Sequence, residues 1–101
     1  MGQTIIQNAL IANFSCYVEE TDPETLRQLC DELLRDCNYQ VLSFTEHHFQ
    51  PQGYTALWLL GESHLAVHTF PENGTCYLEL SSCNAAKNEQ FKKLLQAKSL
   101  T

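Results

Sequence analysis

Residues 55–81 read TALWLLGESHLAVHTFPENGTCYLELS, and their reading decides the fold. Three runs of strand-forming residues lie here: Thr55-Ala56-Leu57-Trp58-Leu59-Leu60, Leu65-Ala66-Val67-His68-Thr69-Phe70 and Thr75-Cys76-Tyr77-Leu78-Glu79-Leu80-Ser81. Pro71-Glu72-Asn73-Gly74 divides the second run from the third, and Asn-Gly is a strong hairpin signal. Only Gly61-Glu62-Ser63-His64 stands between the first and the second. Links this short join antiparallel strands, because parallel strands need a long crossover. The tighter link has few turn residues and carries a Glu-Ser-His instead.

On the N-terminal side the pattern changes. Residues 4–14 read as a first strand. Asp22-Pro23-Glu24 starts a helix: Asp22 can cap it, Pro23 suits the first helical position, and Glu24 favours the positive end of the dipole. Leu26, Leu29, Cys30, Leu33, Leu34 and Cys37 recur at helical spacing and make one apolar stripe. The acidic run Tyr17–Asp22 before it reads as a loop. Tyr39–Phe44 is a strand, Pro51-Gln52-Gly53 a turn, and 54–60 the strand that follows. Residues 85–98 form a short helix with Phe91, Leu94 and Leu95 inward. The order strand, helix, four strands, helix implies an α+β two-layer sandwich. Its sheet is mostly antiparallel, and both helices pack on one face. The 101 residues make a single domain spanning 1–101, with no repeat or linker.

Composition limits the function. A net charge of −6 repels phosphate backbones, so nucleic acid is not an expected partner and a cationic ligand is. There is no run of 18 apolar residues, so no membrane span is expected. Met1-Gly2-Gln3-Thr4 lacks the basic start of an export signal. The five cysteines (16, 30, 37, 76, 83) contain no C-x-x-C, which fits reduced thiols in the cytoplasm. The histidines do not suggest a metal. On a strand, His64 and His68 stand about 13 Å apart and cannot share one ion, and the adjacent His47 and His48 alternate faces. There is no G-x-S-x-G elbow and no Gly-rich phosphate loop. Taken singly, Ser63 is an ordinary turn residue, His68 a half-exposed strand residue, Cys83 a core thiol, and Phe49 and Phe70 packing groups. Glu79 reads as a solvated carboxylate or as a partner for a cationic substrate.

As an ordered set these residues resemble the bacterial-type S-adenosylmethionine decarboxylase family. That family reads E-S-H-L-x-x-H-T-x-P-E, followed by a strand ending in cysteine. Here the residues are Glu62-Ser63-His64-Leu65-Ala66-Val67-His68-Thr69-Phe70-Pro71-Glu72, with Cys83 fifteen residues after His68. Upstream, His48-Phe49-Gln50-Pro51-Gln52-Gly53 is similar to the family's F-x-P-x-G. The resemblance covers roughly residues 1–96, and its specificity lies in 48–83. Asn84 stands where the family usually has Gly. The chain ends soon after the second helix, where relatives continue into a further strand, so a shortened relative is expected.

The resemblance implies a proenzyme that cleaves itself at Glu62–Ser63. The serine hydroxyl attacks the preceding carbonyl, an ester forms and eliminates, and Ser63 becomes a pyruvoyl group. That group forms a Schiff base with the substrate amine and withdraws electrons as carbon dioxide leaves. No pyridoxal phosphate and no metal is implied. His68 resembles the base of the elimination step and Cys83 the acid that reprotonates the substrate carbon. Thr55 takes the place of a serine that assists processing. Phe49 and Phe70 resemble an aromatic pair that sandwiches adenine, although relatives often carry Trp at the second position. The implied substrate is S-adenosylmethionine, for spermidine synthesis, and the implied assembly is a homodimer with sites near its interface. Arginine or ornithine as substrate, or an unprocessed regulatory relative, are the rival readings. Ser63 and His68 have opposite parity on one strand. They converge only if the chain bends at Gly61–Ser63 or if a second protomer contributes.

Overall fold

The computed structural model describes residues 2, 4 and 11–98. Five strands and two helices follow in the order β1 (Ala12–Val18), α1 (Pro23–Asp36), β2 (Val41–His48), β3 (Tyr54–Leu60), β4 (Ser63–Phe70), β5 (Thr75–Ser82) and α2 (Ala85–Ala97). The strands form one sheet in the order β1-β5-β4-β3-β2, and every neighbouring pair is antiparallel. The expected α+β sandwich is present. Period-two alternation gives each strand one buried row. Tyr54, Ala56, Trp58 and Leu60 of β3 face the helices, as do Leu65 and Val67 of β4 and Cys76, Leu78 and Leu80 of β5; all are at most 2% exposed. Leu26, Leu29, Cys30, Leu33 and Leu34 of α1, with Phe91 and Leu95 of α2, close this layer.

Both ends of α1 are capped as its sequence dictates. The Asp22 carboxylate accepts from the Thr25 amide at 2.9 Å and from the Thr25 hydroxyl at 2.7 Å. These bonds hold its carboxyl below the usual range. At the other end Asn38 takes φ +63°. Its amide donates to the Arg35 carbonyl and the Tyr39 amide to the Leu34 carbonyl, a Schellman closure with Asn as the left-handed residue.

The first two strands differ most from the sequence reading, and β4 begins earlier, at Ser63. The sequence predicts a first strand over 4–14, but β1 runs from Ala12 to Val18, and residues 5–10 lie outside those described. Phe14, Cys16 and Val18 alternate inward against Leu80, Leu78 and Cys76, so Tyr17 and Val18 are strand and not loop. The second strand starts at Val41 rather than Tyr39, because Tyr39 is spent on closing α1. It then continues through the polar Glu46-His47-His48, which an edge strand tolerates because solvent lies on its open side.

Replacing Leu33, fully buried between α1 and the sheet, with Ala is expected to cost about 2–5 kcal/mol in urea unfolding. Asp22→Ala is expected to cost less, through the lost cap alone. Equal losses would contradict the placement of Leu33 in the core.

Candidate active site

Glu62 and Ser63 lie in the tight connection of β3 to β4. Leu60 pairs with Ser63, so Gly61 and Glu62 alone make the turn. Glu62 has φ +57°, in the left-handed region. Glycine would occupy that region freely, yet here the glycine stands one position earlier. A side chain there costs about 1–2 kcal/mol. The backbone strain falls on the residue whose carbonyl precedes Ser63.

Ser63 points to the helix side of the sheet and is 8% exposed. Clefts open on both sides of the Glu62–Ser63 peptide. One of about 610 Å³ lies toward α2 and is lined by Tyr39, Glu62, Ser63, Cys83 and Lys87 among others. The other, of about 300 Å³, lies toward the open sheet face and is lined by Ile11, Leu59, Glu62, Ser63, His64 and Cys83 among others. Cys83 leaves the end of β5 beside this turn. Its Sγ lies 4.0 Å from the Glu62 carbonyl oxygen, a long S–H···O contact. Cys83 is the exposed thiol of the five; Cys30, Cys37 and Cys76 are buried, with burial pushing the Cys76 thiol up to about 12.

His68 is elsewhere. It sits five residues along β4 from Ser63, about 17 Å at strand rise, and on the opposite, open face. Its Nδ1 is 2.9 Å from Thr55 Oγ1 on β3, and its ring stacks on Tyr77 with centroids 6.5 Å apart. Cross-strand pairing sets His47, Thr55, His68, Tyr77 and Tyr17 in one row across all five strands. Phe49 and Phe70 project from this same end of the sheet, 49% and 38% exposed. They follow β2 and end β4, with β3 between, about 10 Å apart at sheet spacing. Phe49 meets the His47 ring at 4.5 Å, and its amide closes a turn by donating to the Gly53 carbonyl at 2.8 Å. Gly53 has φ +114°, which requires glycine.

One chain therefore holds the expected residues in two groups. Glu62, Ser63 and Cys83 are together at one end of β4; Thr55, His68, Phe49 and Phe70 lie at the other. The chain does not bend enough to bring Ser63 and His68 together. His64 and His68 do lie on one strand, and among the described residues no three His, Cys, Asp or Glu side chains gather to hold a metal. Glu79 lies on the open face, where its carboxylate accepts from the Tyr77 hydroxyl at 3.3 Å. Tyr39, Ser82, Lys87 and Asn88 surround the Cys83 end and were not singled out in the sequence. They come from three separate elements, and no local spacing links them.

Glu62→Gly, made in a Ser63→Ala background so that no cleavage intervenes, is expected to stabilise the fold by about 0.5–1 kcal/mol. That is the strain relieved less the backbone freedom glycine adds to the unfolded chain. Unchanged or lower stability in urea would show that the Glu62 backbone stores no strain.

Comparison with known proteins gives the same frame. The S-adenosylmethionine decarboxylase family model matches residues 8–99. An S-adenosylmethionine decarboxylase proenzyme of Brevibacillus brevis is 41% identical over 70 residues, covering 69% of this chain and 53% of that one. One from Prochlorococcus marinus is 32% identical over 78 residues, covering 76% and 62%. The chain thus spans between half and two thirds of the length of these relatives. The crystal structure of the adenosylmethionine decarboxylase of Aquifex aeolicus shares the fold, with a TM-score of 0.72 over 86% of this chain and 78% of that one, at 23% identity. The match over residues 8–99 establishes that this chain belongs to the S-adenosylmethionine decarboxylase family.

Proposed function

We propose that the chain is a self-processing, pyruvoyl-dependent decarboxylase that cleaves itself between Glu62 and Ser63 and acts on S-adenosylmethionine for spermidine synthesis. The observation that carries this reading is the left-handed Glu62 directly before Ser63, with the Cys83 thiol 4.0 Å from the Glu62 carbonyl. Strain in the peptide to be cleaved is relieved when its geometry is lost. A serine opening onto clefts at a tight turn, beside a thiol, is a fitting precursor for such a group.

The residues divide the work as follows. The Ser63 hydroxyl attacks the Glu62 carbonyl carbon, and the acyl group moves from nitrogen to oxygen. A base then removes the Ser63 α-proton and the Glu62 carboxylate leaves, giving dehydroalanine; its imine tautomer takes up water and releases ammonia, which leaves the pyruvoyl ketone. A pyruvoyl group supplies a carbonyl that binds the substrate amine and draws electrons as carbon dioxide departs. Cys83 holds a proton on Sγ at this end of the cleft for the carbon that loses its carboxylate. His68 acts as the base through Nε2, in the tautomer whose Nδ1–H donates to the Thr55 oxygen. Phe49 and Phe70 offer aromatic faces to the adenine. The net charge of −6 suits a sulfonium substrate.

His68 reaches the Ser63 α-proton only from a second copy, through the cleft on the open sheet face. The open sheet face supports this, because Tyr17, Leu57, Leu59 and Phe70 expose 61%, 42%, 53% and 38% of their surface there. Two copies packed face to face about a two-fold axis would set the Thr55–His68 end of each sheet against the Ser63–Cys83 end of the other. A homodimer would also cover these apolar side chains.

Ser63→Ala is expected to stay folded, uncleaved and inactive. The native chain is expected to release carbon dioxide from carboxyl-labelled S-adenosylmethionine and not from arginine or ornithine. Turnover by Ser63→Ala would sink the mechanism, and release from arginine or ornithine alone would change the substrate. Co-expressing His68→Ala with Ser63→Ala tests the shared site. The His68→Ala chain should be cleaved in the mixed dimer and remain intact alone; an intact chain in both would place His68 outside the processing site.

A further inference from the structure

Behind Cys83 lies a buried polar chain whose direction is set by proton counting. Tyr39, Ser82 and Asn88 are 8%, 1% and 6% exposed. The Tyr39 hydroxyl is 2.8 Å from both Ser82 Oγ and Asn88 Oδ1. It has one proton, and an amide oxygen can only accept, so Tyr39 donates to Asn88 and accepts from the Ser82 hydroxyl. The Asn88 amide nitrogen then donates to the Ala12 carbonyl at 2.8 Å. At the other end Ser82 Oγ accepts from the Asn84 amide at 2.9 Å. The order is Asn84 N–H to Ser82, Ser82 to Tyr39, Tyr39 to Asn88, Asn88 to β1. Burial raises the Tyr39 phenol, and the Ser82 bond opposes this, as a donor to the phenol oxygen does.

This chain grips the backbone on both sides of Cys83. Ser82 precedes it and is held by its side chain. Asn84 follows it, is held by its amide, and caps α2 by accepting from the Lys87 amide at 3.0 Å. The thiol itself is exposed and, among the described residues, has only the long contact to Glu62. Tyr39 reaches this place because the Schellman turn after α1 aims it there, and Lys87 fixes that turn by donating to the Asn38 carbonyl at 2.9 Å while lying 5.0 Å over the Tyr39 ring.

We infer that Tyr39, through Ser82 and Asn88, is a positioning residue for Cys83: it holds the thiol against the Glu62–Ser63 turn from outside the cleft. The inference rests on the reading of Cys83 as the proton donor. Because the bonds run in one direction, breaking any of them should release the same segment.

The test uses Tyr39→Phe, Ser82→Ala and the double variant, each in a Ser63→Ala background, where no pyruvoyl group forms. Alkylation of Cys83 by iodoacetamide is measured against Cys16, a half-buried thiol on β1, as an internal reference. Each single variant is expected to raise the Cys83-to-Cys16 rate ratio about three- to tenfold, the range of one net hydrogen bond. The double variant should raise it no further, since both act on one chain. In otherwise native enzyme, Tyr39→Phe should lower kcat by a similar factor with KM within about twofold. Equal acceleration of both thiols, or additive effects in the double variant, would overturn the inference and leave Tyr39 a core residue. Cys83→Ser with unchanged turnover would remove the proton-donor reading, while the alkylation ratio would still decide the positioning.

Discussion

The structure turns on how β3 is joined to β4. Leu60 and Ser63 pair directly, so two residues must reverse the chain, and one of them must take a left-handed backbone. Glycine is present but in the first position, and Glu62 carries the positive φ. β3 and β4 on either side are paired to β2 and β5 as well as to each other. A cost of about 1–2 kcal/mol is thus held at one peptide by the whole β3–β4–β5 core.

The same register divides the functional residues. Alternation along β4 sends Ser63, Leu65 and Val67 toward the helices and His64, Ala66 and His68 toward the open face. Ser63 is buried like Leu65 and Val67, but it begins the strand, where clefts open around the turn. His68 lies well inside the open face, braced by Thr55 and Tyr77. Strand geometry allows no regular β4 in which these two side chains meet. A second copy on the open face would cover its exposed Leu57, Leu59 and Phe70 and would complete the proposed site.

Much of this was legible in the sequence because its determinants are local. The α1 cap, its 3.6-residue stripe, and the alternation of β3, β4 and β5 each declare themselves within a few residues. The family motif from Glu62 to Glu72 holds Ser63 and His68, and Cys83 lies eleven residues beyond it. What the sequence obscured depends on distant partners. β1 was read from its first apolar residues and not from the alternation of Phe14, Cys16 and Val18, which only the pairing with β5 makes meaningful. β2 was cut short at its charged residues, because nothing local says that a strand will lie at a sheet margin. Tyr39, Ser82 and Asn88 are 43 and 49 residues apart from Tyr39 outward, and their chain exists only once α1, β5 and α2 are packed.

The most direct measurement is the intact mass of the purified protein under denaturing conditions. The account predicts two fragments of about 7 and 4.4 kDa, the smaller lighter by the loss of ammonia at residue 63. A single 11.5 kDa chain that persists through long incubation would contradict it. The strained Glu62 would then be a fixed feature of an uncleaved fold and not the point at which the chain makes its own catalytic group.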